Sequence, residues 1–83
     1  MGSAADDLVG VVRLLVDLPG AVHAEERGAA PGATRAELVL SVDESDRGKV
    51  IGRRGRSIDA LRALARHRGA REGRELGLEL VED

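Results

Sequence analysis

The sequence predicts one small α+β domain across residues 1–83, with the element order α-β-β-α-α-β. Apolar residues recur at helical spacing near the amino terminus and on both sides of residues 52–55, and they alternate with polar residues in three short segments. The length suits a single domain without a long linker or an internal repeat. Phe, Tyr and Trp are all absent, so the predicted core is aliphatic.

The first predicted helix begins at a capping box and ends at a proline. Ser3 and Asp6 have the spacing of the box, and Pro19-Gly20 stops the helix. The polar positions form only a narrow stripe, at Asp6, Gly10, Arg13 and Asp17. Because most of the circumference is apolar, we expect this helix either to pack unusually deeply or to meet another chain.

Two strands are predicted next, joined by a flexible turn. The first is a short, weak strand over residues 22–26, and the turn from Arg27 to Ala33 contains two Gly and one Pro. The second strand, from Thr34 to Val42, alternates more clearly, and we expect one of its faces to lie on the core, with Ala36, Leu38, Leu40 and Val42.

The second half of the chain predicts two helices around a glycine loop and then a third strand. Asp43 can cap a short helix that runs towards Ile51, with Asp46 near its positive end. A longer helix follows Gly55 and is expected to stop near Gly69, with its buried side formed by Ile58, Leu61, Leu64 and Ala65. The third strand places on one face Leu76, Leu78 and Leu80.

The charge distribution is strongly uneven along the chain. Residues 47–74 contain ten basic and two acidic side chains, a balance of +8, so the remainder carries −10 to give the net charge of −2. Such a basic block is typical of a surface that binds a polyanion. Frequent arginine in an Ala-, Gly- and Arg-rich chain is the alternative, but the near exclusion of acidic residues from the same stretch favours the polyanion surface. Cysteine is absent, and no signal peptide or long apolar span is present, which predicts a cytoplasmic location.

The loop from Gly52 to Gly55 has the residue types of a phosphate clamp. Glycine allows positive φ and close approach of a ligand backbone. The start of the following helix offers free N–H groups, and Arg53 and Arg54 offer planar donors to phosphate oxygens. Taken alone, a Gly-x-x-Gly sequence is a weak signal, and an ordinary turn between helices with solvated arginines at its tip is the favoured interpretation.

The run Gly48-Lys49-Val50-Ile51-Gly52-Arg53-Arg54-Gly55-Arg56, in its α-β-β-α-α-β context, resembles the KH domain. It is similar in particular to the type II, prokaryotic KH fold of the small bacterial single-KH proteins of the KhpA family. The resemblance implies a three-stranded mixed sheet with helices on one face. It also implies an RNA-binding protein or RNA chaperone that clamps about four single-stranded nucleotides and holds their bases in an aliphatic groove.

The same resemblance implies the roles of individual residues and partners. Gly52, Arg53, Arg54 and Gly55 would hold phosphates, and Lys49 and Arg56 would flank them. Ile51 and Ile58 would anchor the loop, and Val50 would help to line the groove. The expected partners are single-stranded RNA and a second protein chain, either in a homodimer or in a heterodimer with a larger KH-containing RNA-binding protein.

Other functions were weighed against this interpretation. A helix-hairpin-helix DNA-binding module normally has Gly-x-Gly rather than Gly-x-x-Gly, and a KH scaffold that only assembles proteins would not need a basic loop. An enzyme is not expected, because nucleotide-binding loops are unmatched and His23 and His67 form no metal or catalytic spacing. We therefore expect no cofactor, no metal, no small-molecule substrate and no membrane partner.

Overall fold

The computed structural model describes residues 3–28 and 34–81. It confirms the predicted α+β class and the element order. The helices are α1 (Ala4–Arg13), α2 (Arg47–Ile51) and α3 (Arg56–Arg71). The strands are β1 (His23–Arg27), β2 (Arg35–Ser41) and β3 (Glu75–Leu80).

The three strands form one mixed sheet in the order β1-β2-β3. β1 pairs antiparallel with β2, and β2 pairs parallel with β3, with Leu38 opposite Leu78. The predicted inner face of β2 is confirmed, since Ala36, Leu38 and Leu40 are all buried. α1 and α3 cover this face and complete an aliphatic core.

α1 has the predicted start but an earlier end. Its capping box is present: the Asp6 N–H donates to Ser3 Oγ at 3.1 Å, and the Ser3 N–H donates to Asp6 Oδ2 at 3.3 Å. The prediction that the helix continues to Pro19 is wrong, because the last helical residue is Arg13. The backbone N–H groups of Asp17 and Leu18 donate to the Asp46 side chain and not to helix carbonyls.

α3 differs from its prediction at two positions. Leu64 was expected on the buried side but is 52% exposed, because the buried face is narrow and consists of Ile58, Leu61, Ala65 and Gly69. The helix also continues past Gly69 to Arg71. The left-handed residue after its end is Gly73, at φ 70°, while Gly69 lies within the helix against β3.

The turn predicted from Arg27 to Ala33 lies mostly outside the described residues, since only Arg27 and Gly28 belong to them. Within residues 3–28 and 34–81, none of the helices has the length and apolar character needed to cross a bilayer.

Candidate nucleic-acid interface

Gly52 ends α2 in a backbone conformation that only glycine adopts easily. Its φ is 75° and its ψ is 176°, and its N–H donates to the Gly48 carbonyl at 2.9 Å. A Cβ at this position would lie 2.8 Å from the Ser57 Cβ and 3.0 Å from the Ser57 nitrogen. Glycine is therefore required here both by backbone angle and by the close approach of α3.

The rest of the loop is a single tight turn, Arg53–Gly55. Arg54 has φ 55°, a left-handed conformation that is uncommon for a residue with a side chain, and Gly55 has φ 73°. Gly55 directly precedes α3, and no side chain caps the start of that helix. The first N–H groups of α3 consequently face the loop without a competing side-chain acceptor.

The loop arginines are exposed and available. Among the described residues, Arg53, Arg54 and Arg56 have no hydrogen-bond or ion-pair partner, whereas other arginines, such as Arg35 and Arg74, pair with carboxylates. Three guanidinium groups without a partner in residues 3–28 and 34–81 therefore surround the predicted turn.

Lys49, the other predicted phosphate contact, has a different environment. Its Nζ forms ion pairs with Asp17 and, at 3.4 Å, with Asp46. The hydrogen bond to Asp17 is the main cause of a raised Lys49 pKa, partly opposed by desolvation, and Asp46 adds to the rise. The charge of Lys49 is thus already balanced by two carboxylates.

A groove with both aliphatic and charged lining residues begins beside the loop. It has a volume of about 490 Å³, and its lining residues are Glu37, Ile51, Ile58, Arg62, Leu78, Glu79 and Leu80. We call it the loop groove. The structure brings Ile51 and Ile58 together on this groove, while Val50 is fully buried in the core and does not line it.

Asp46 is an important residue whose role the sequence analysis missed. It was interpreted as a helix-start residue, but its side chain is 1% exposed and receives the Asp17 and Leu18 N–H groups at 3.1 and 3.0 Å. Burial acts to raise the pKa of Asp46, but these two donors and Lys49 outweigh it and hold the pKa below its ordinary value. An aspartate near a helix start carries no sequence signal that separates these two roles.

Comparisons with known proteins give a consistent result. The family model described as "KhpA/KhpB, KH domain" matches residues 5–80. A relative from Chlamydia caviae, called RNA-binding protein KhpA, is 36% identical over 78 residues, which cover 94% of this chain and 96% of the relative. Its namesake from Listeria monocytogenes is 34% identical, with coverage of 90% of this chain and 95% of the relative.

A third protein of that name, from Clostridium perfringens, is 32% identical over 86% of this chain and 91% of its own length. No solved structure matches the chain significantly. The Gly-x-x-Gly loop between two helices, the α-β-β-α-α-β order and these matches together show that the chain belongs to the KhpA/KhpB family of KH domains.

Proposed function

We propose that this protein binds single-stranded RNA, with the sugar-phosphate backbone on Gly52 to Gly55 and the bases in the loop groove. The observation that carries the proposal is the set of three unpaired, exposed arginines, Arg53, Arg54 and Arg56, around a turn that opens onto aliphatic side chains. The names of the curated relatives, RNA-binding protein KhpA, support it.

The chemistry of the two surfaces is complementary to a nucleotide strand. Guanidinium groups and the N–H groups at the start of α3 suit phosphate oxygens. Ile51 and Leu80 offer apolar contact to the faces of the bases, and the absence of aromatic side chains leaves ring stacking out of the interaction. A strand of about four nucleotides fits the length of a KH clamp.

Binding by one copy is expected to be weak and salt-dependent. If about three phosphates are contacted, the logarithm of the association constant should fall with the logarithm of salt concentration with a slope of about −2, at roughly −0.7 per phosphate. Weak, sequence-tolerant contact of this kind suits an RNA chaperone in the cytoplasm. This role does not require a catalytic step, and RNA binding is the only activity that we propose.

The decisive experiment replaces both tip arginines, Arg53→Asp together with Arg54→Asp. Arg13→Asp with Arg71→Asp is the matched control, because both arginines are exposed, lie outside the loop groove and change the net charge equally. Since Arg71 lines a cleft between α1 and α3, light scattering must first show that this control has the same mass as the parent. After circular dichroism confirms folding, each protein is titrated into a pool of short single-stranded RNAs at low salt. Equal binding by the loop variant and the control would contradict the clamp. Absence of binding by the parent would favour a KH scaffold that only assembles proteins.

Self-association is the second part of the proposal. Several large apolar side chains on the helical side are exposed, with Leu14 at 84% and Leu64 at 52%. Val11 and Leu64 line one cleft of about 200 Å³ between α1 and α3. An apolar patch that joins two helices suits a second copy of this chain, which would bring two weak RNA sites together.

Light scattering tests this association. At about 0.1 mM protein, which is a hundredfold above a 1 μM dissociation constant, the parent should have the mass of a dimer and the variant Leu14→Ser with Leu64→Ser that of a monomer. A monomeric parent at this concentration would contradict the homodimer and direct the search to a heterodimer with a larger KH-containing RNA-binding protein.

A further inference from the structure

A second groove, rich in arginine, continues from the loop groove along α3. It has a volume of about 860 Å³ and runs along the edge strand β3, with residues of α3 on one side and Arg35 and Glu37, on the face of β2 turned away from the helices, on the other. Glu37, Arg62 and Leu78 line both grooves, so the two surfaces adjoin. We call the second one the arginine groove, after five of its lining residues, Arg27, Arg35, Arg62, Arg66 and Arg74.

One row of side chains on α3 connects the two grooves. Ile58, Arg62, Arg66 and Ala70 follow at intervals of four residues, and each lines one groove or both. Residues at this spacing lie on the same face of a helix. The row is about 18 Å long at 1.5 Å per residue, and the 12 Å from Arg62 to Ala70 admits at most about four stacked nucleotides at 3.4 Å each.

The charges of the arginine groove are positive and accessible. Its lining residues include five arginines and two glutamates, Glu37 and Glu75, a balance of +3. Arg66 has no ion-pair partner among the described residues, and Arg35 pairs with Glu75 at 2.9 Å in a strongly exposed pair. Exposed pairs contribute little, so a phosphate can replace the carboxylate at small cost.

Glu37 adds a hydrogen-bond acceptor to a groove whose other charged lining residues are mostly arginines. Its carboxylate lies over β3, since a Cβ on Gly77 would be 2.8 Å from Glu37 Oε1. Within the described part of the chain it has no hydrogen-bond or ion-pair partner. A carboxylate repels phosphate but accepts hydrogen bonds from the amino groups of bases. Arg35 and the arginines of α3 thus suit the backbone of the RNA strand, while Glu37 suits the amino groups of its bases.

We propose that the arginine groove binds the continuation of the single-stranded RNA that leaves the loop groove, with phosphates on Arg35 and Arg66. The inference rests on the proposed RNA binding and extends it to a longer ligand. The arginine groove is continuous with the loop groove through Arg62 and the row on α3. This continuity favours RNA over an acidic peptide, because an RNA strand bound in the loop groove would extend directly into the arginine groove.

The test compares RNAs of two lengths, about four and about ten nucleotides, across a range of salt concentrations. The variant is Arg35→Gln with Arg66→Gln, since both arginines line the arginine groove but not the loop groove. The control, Arg13→Gln with Arg71→Gln, makes the same charge change at exposed arginines outside both grooves. Loss of two phosphate contacts should reduce the magnitude of the salt slope by about 1.4 for the longer RNA and leave the shorter RNA unaffected.

Three results would overturn the inference, and they separate its failure from that of the proposed function. If the groove variant and the control give the same slope for the longer RNA while Arg53→Asp with Arg54→Asp abolishes binding, the clamp stands without the extension. If a glutamate decapeptide binds through Arg35 and Arg66 and leaves RNA binding unchanged, the groove is a peptide site. If the parent binds neither RNA, the proposed function fails and the extension fails with it.

Discussion

The carboxylate of Asp46 accepts a hydrogen bond from the backbone N–H of Leu18 at 3.0 Å, although 28 residues separate them in the sequence. Its other oxygen accepts the N–H of Asp17 at 3.1 Å. The segment after α1 is thereby joined to the start of α2, the helix that leads directly into Gly52. A buried side chain far from the loop tip thus fixes the position from which the loop departs.

Replacement of Asp46 by Asn should destabilise the fold. The amide keeps the shape, but it loses the negative charge that two N–H groups and Lys49 contact, and its NH2 group would face a donor. Urea unfolding at pH 7 should show a lower midpoint for Asp46→Asn than for Glu44→Gln, which removes an exposed carboxylate from the same turn. Equal midpoints would mean that the Asp46 contacts contribute nothing to stability.

The same variant has a defined dependence on pH. The folded pKa of Asp46 is below the ordinary value of 3.8, so the stabilisation is complete above that value and is lost as the pH falls through the folded pKa. The difference in unfolding midpoint between the parent and Asp46→Asn should therefore be constant near neutral pH and shrink below about pH 4. A difference that persists unchanged to pH 2 would contradict this assignment.

Lys49 and Arg54 should respond differently to the same substitution. Lys49 is paired with Asp17 and Asp46, whereas Arg54 is unpaired within the residues described. Arg54→Gln should reduce the magnitude of the RNA salt slope by about 0.7 and leave stability almost unchanged. Lys49→Gln should change the slope less and lower the melting temperature more. If Lys49→Gln has the larger effect on the slope, the lysine leaves its carboxylates to contact phosphate.

Gly52 and Gly48 form a matched pair of glycines four residues apart. Gly52→Ala should cost about 1–3 kcal/mol, because alanine is strained at φ 75° and its Cβ would meet Ser57. Gly48→Ala should stabilise α2 by about 0.5–1 kcal/mol, since nothing lies within 4 Å of its added Cβ. Chemical denaturation measures both. A Gly52→Ala protein as stable as the parent would show that the loop has a second accessible conformation.

The order of elements and the inner face of β2 were predictable, because the spacing of apolar residues within a segment indicates both its secondary structure and its buried face. The contacts that the periodicity missed join distant segments. The early end of α1 depends on Asp46, which takes the N–H groups that a longer helix would use. The exposure of Leu64 follows from the narrow strip of α3 that the sheet covers.

The candidate site likewise has one part that the local sequence predicts and another that depends on contacts between distant segments. Local chemistry made Gly52 to Gly55 a candidate, because positive φ and free helix N–H groups are properties of a short segment, but the resemblance of the whole chain to the KH domain was needed to favour a clamp over an ordinary turn. The arginine groove could not be predicted, since it exists only where Arg35 of β2 and Arg66 of α3 line one surface. The pairing of Lys49 with Asp17 likewise required the fold.

Gly69 gives a final prediction, in which two effects of the same substitution oppose each other. Alanine in the interior of α3 should gain about 1 kcal/mol in helix propensity. Its Cβ, however, would lie 2.6 Å from the Arg74 carbonyl oxygen and 2.9 Å from the Leu76 nitrogen, and the Leu76 backbone, which is paired with Ala36 of β2, cannot move away cheaply. We expect the steric effect to dominate, with a net loss of about 1–3 kcal/mol.

The control for Gly69→Ala is Gly10→Ala, an exposed helical position with nothing within 4 Å of the added Cβ. That variant should be stabilised by up to about 1 kcal/mol. In thermal unfolding the two substitutions should therefore move the midpoint in opposite directions, by about 4–8 °C for each kcal/mol in a domain of this size. If Gly69→Ala also raises the midpoint, α3 can withdraw from β3 at little cost, and the close approach at Gly69 does not determine how the helix packs on the sheet.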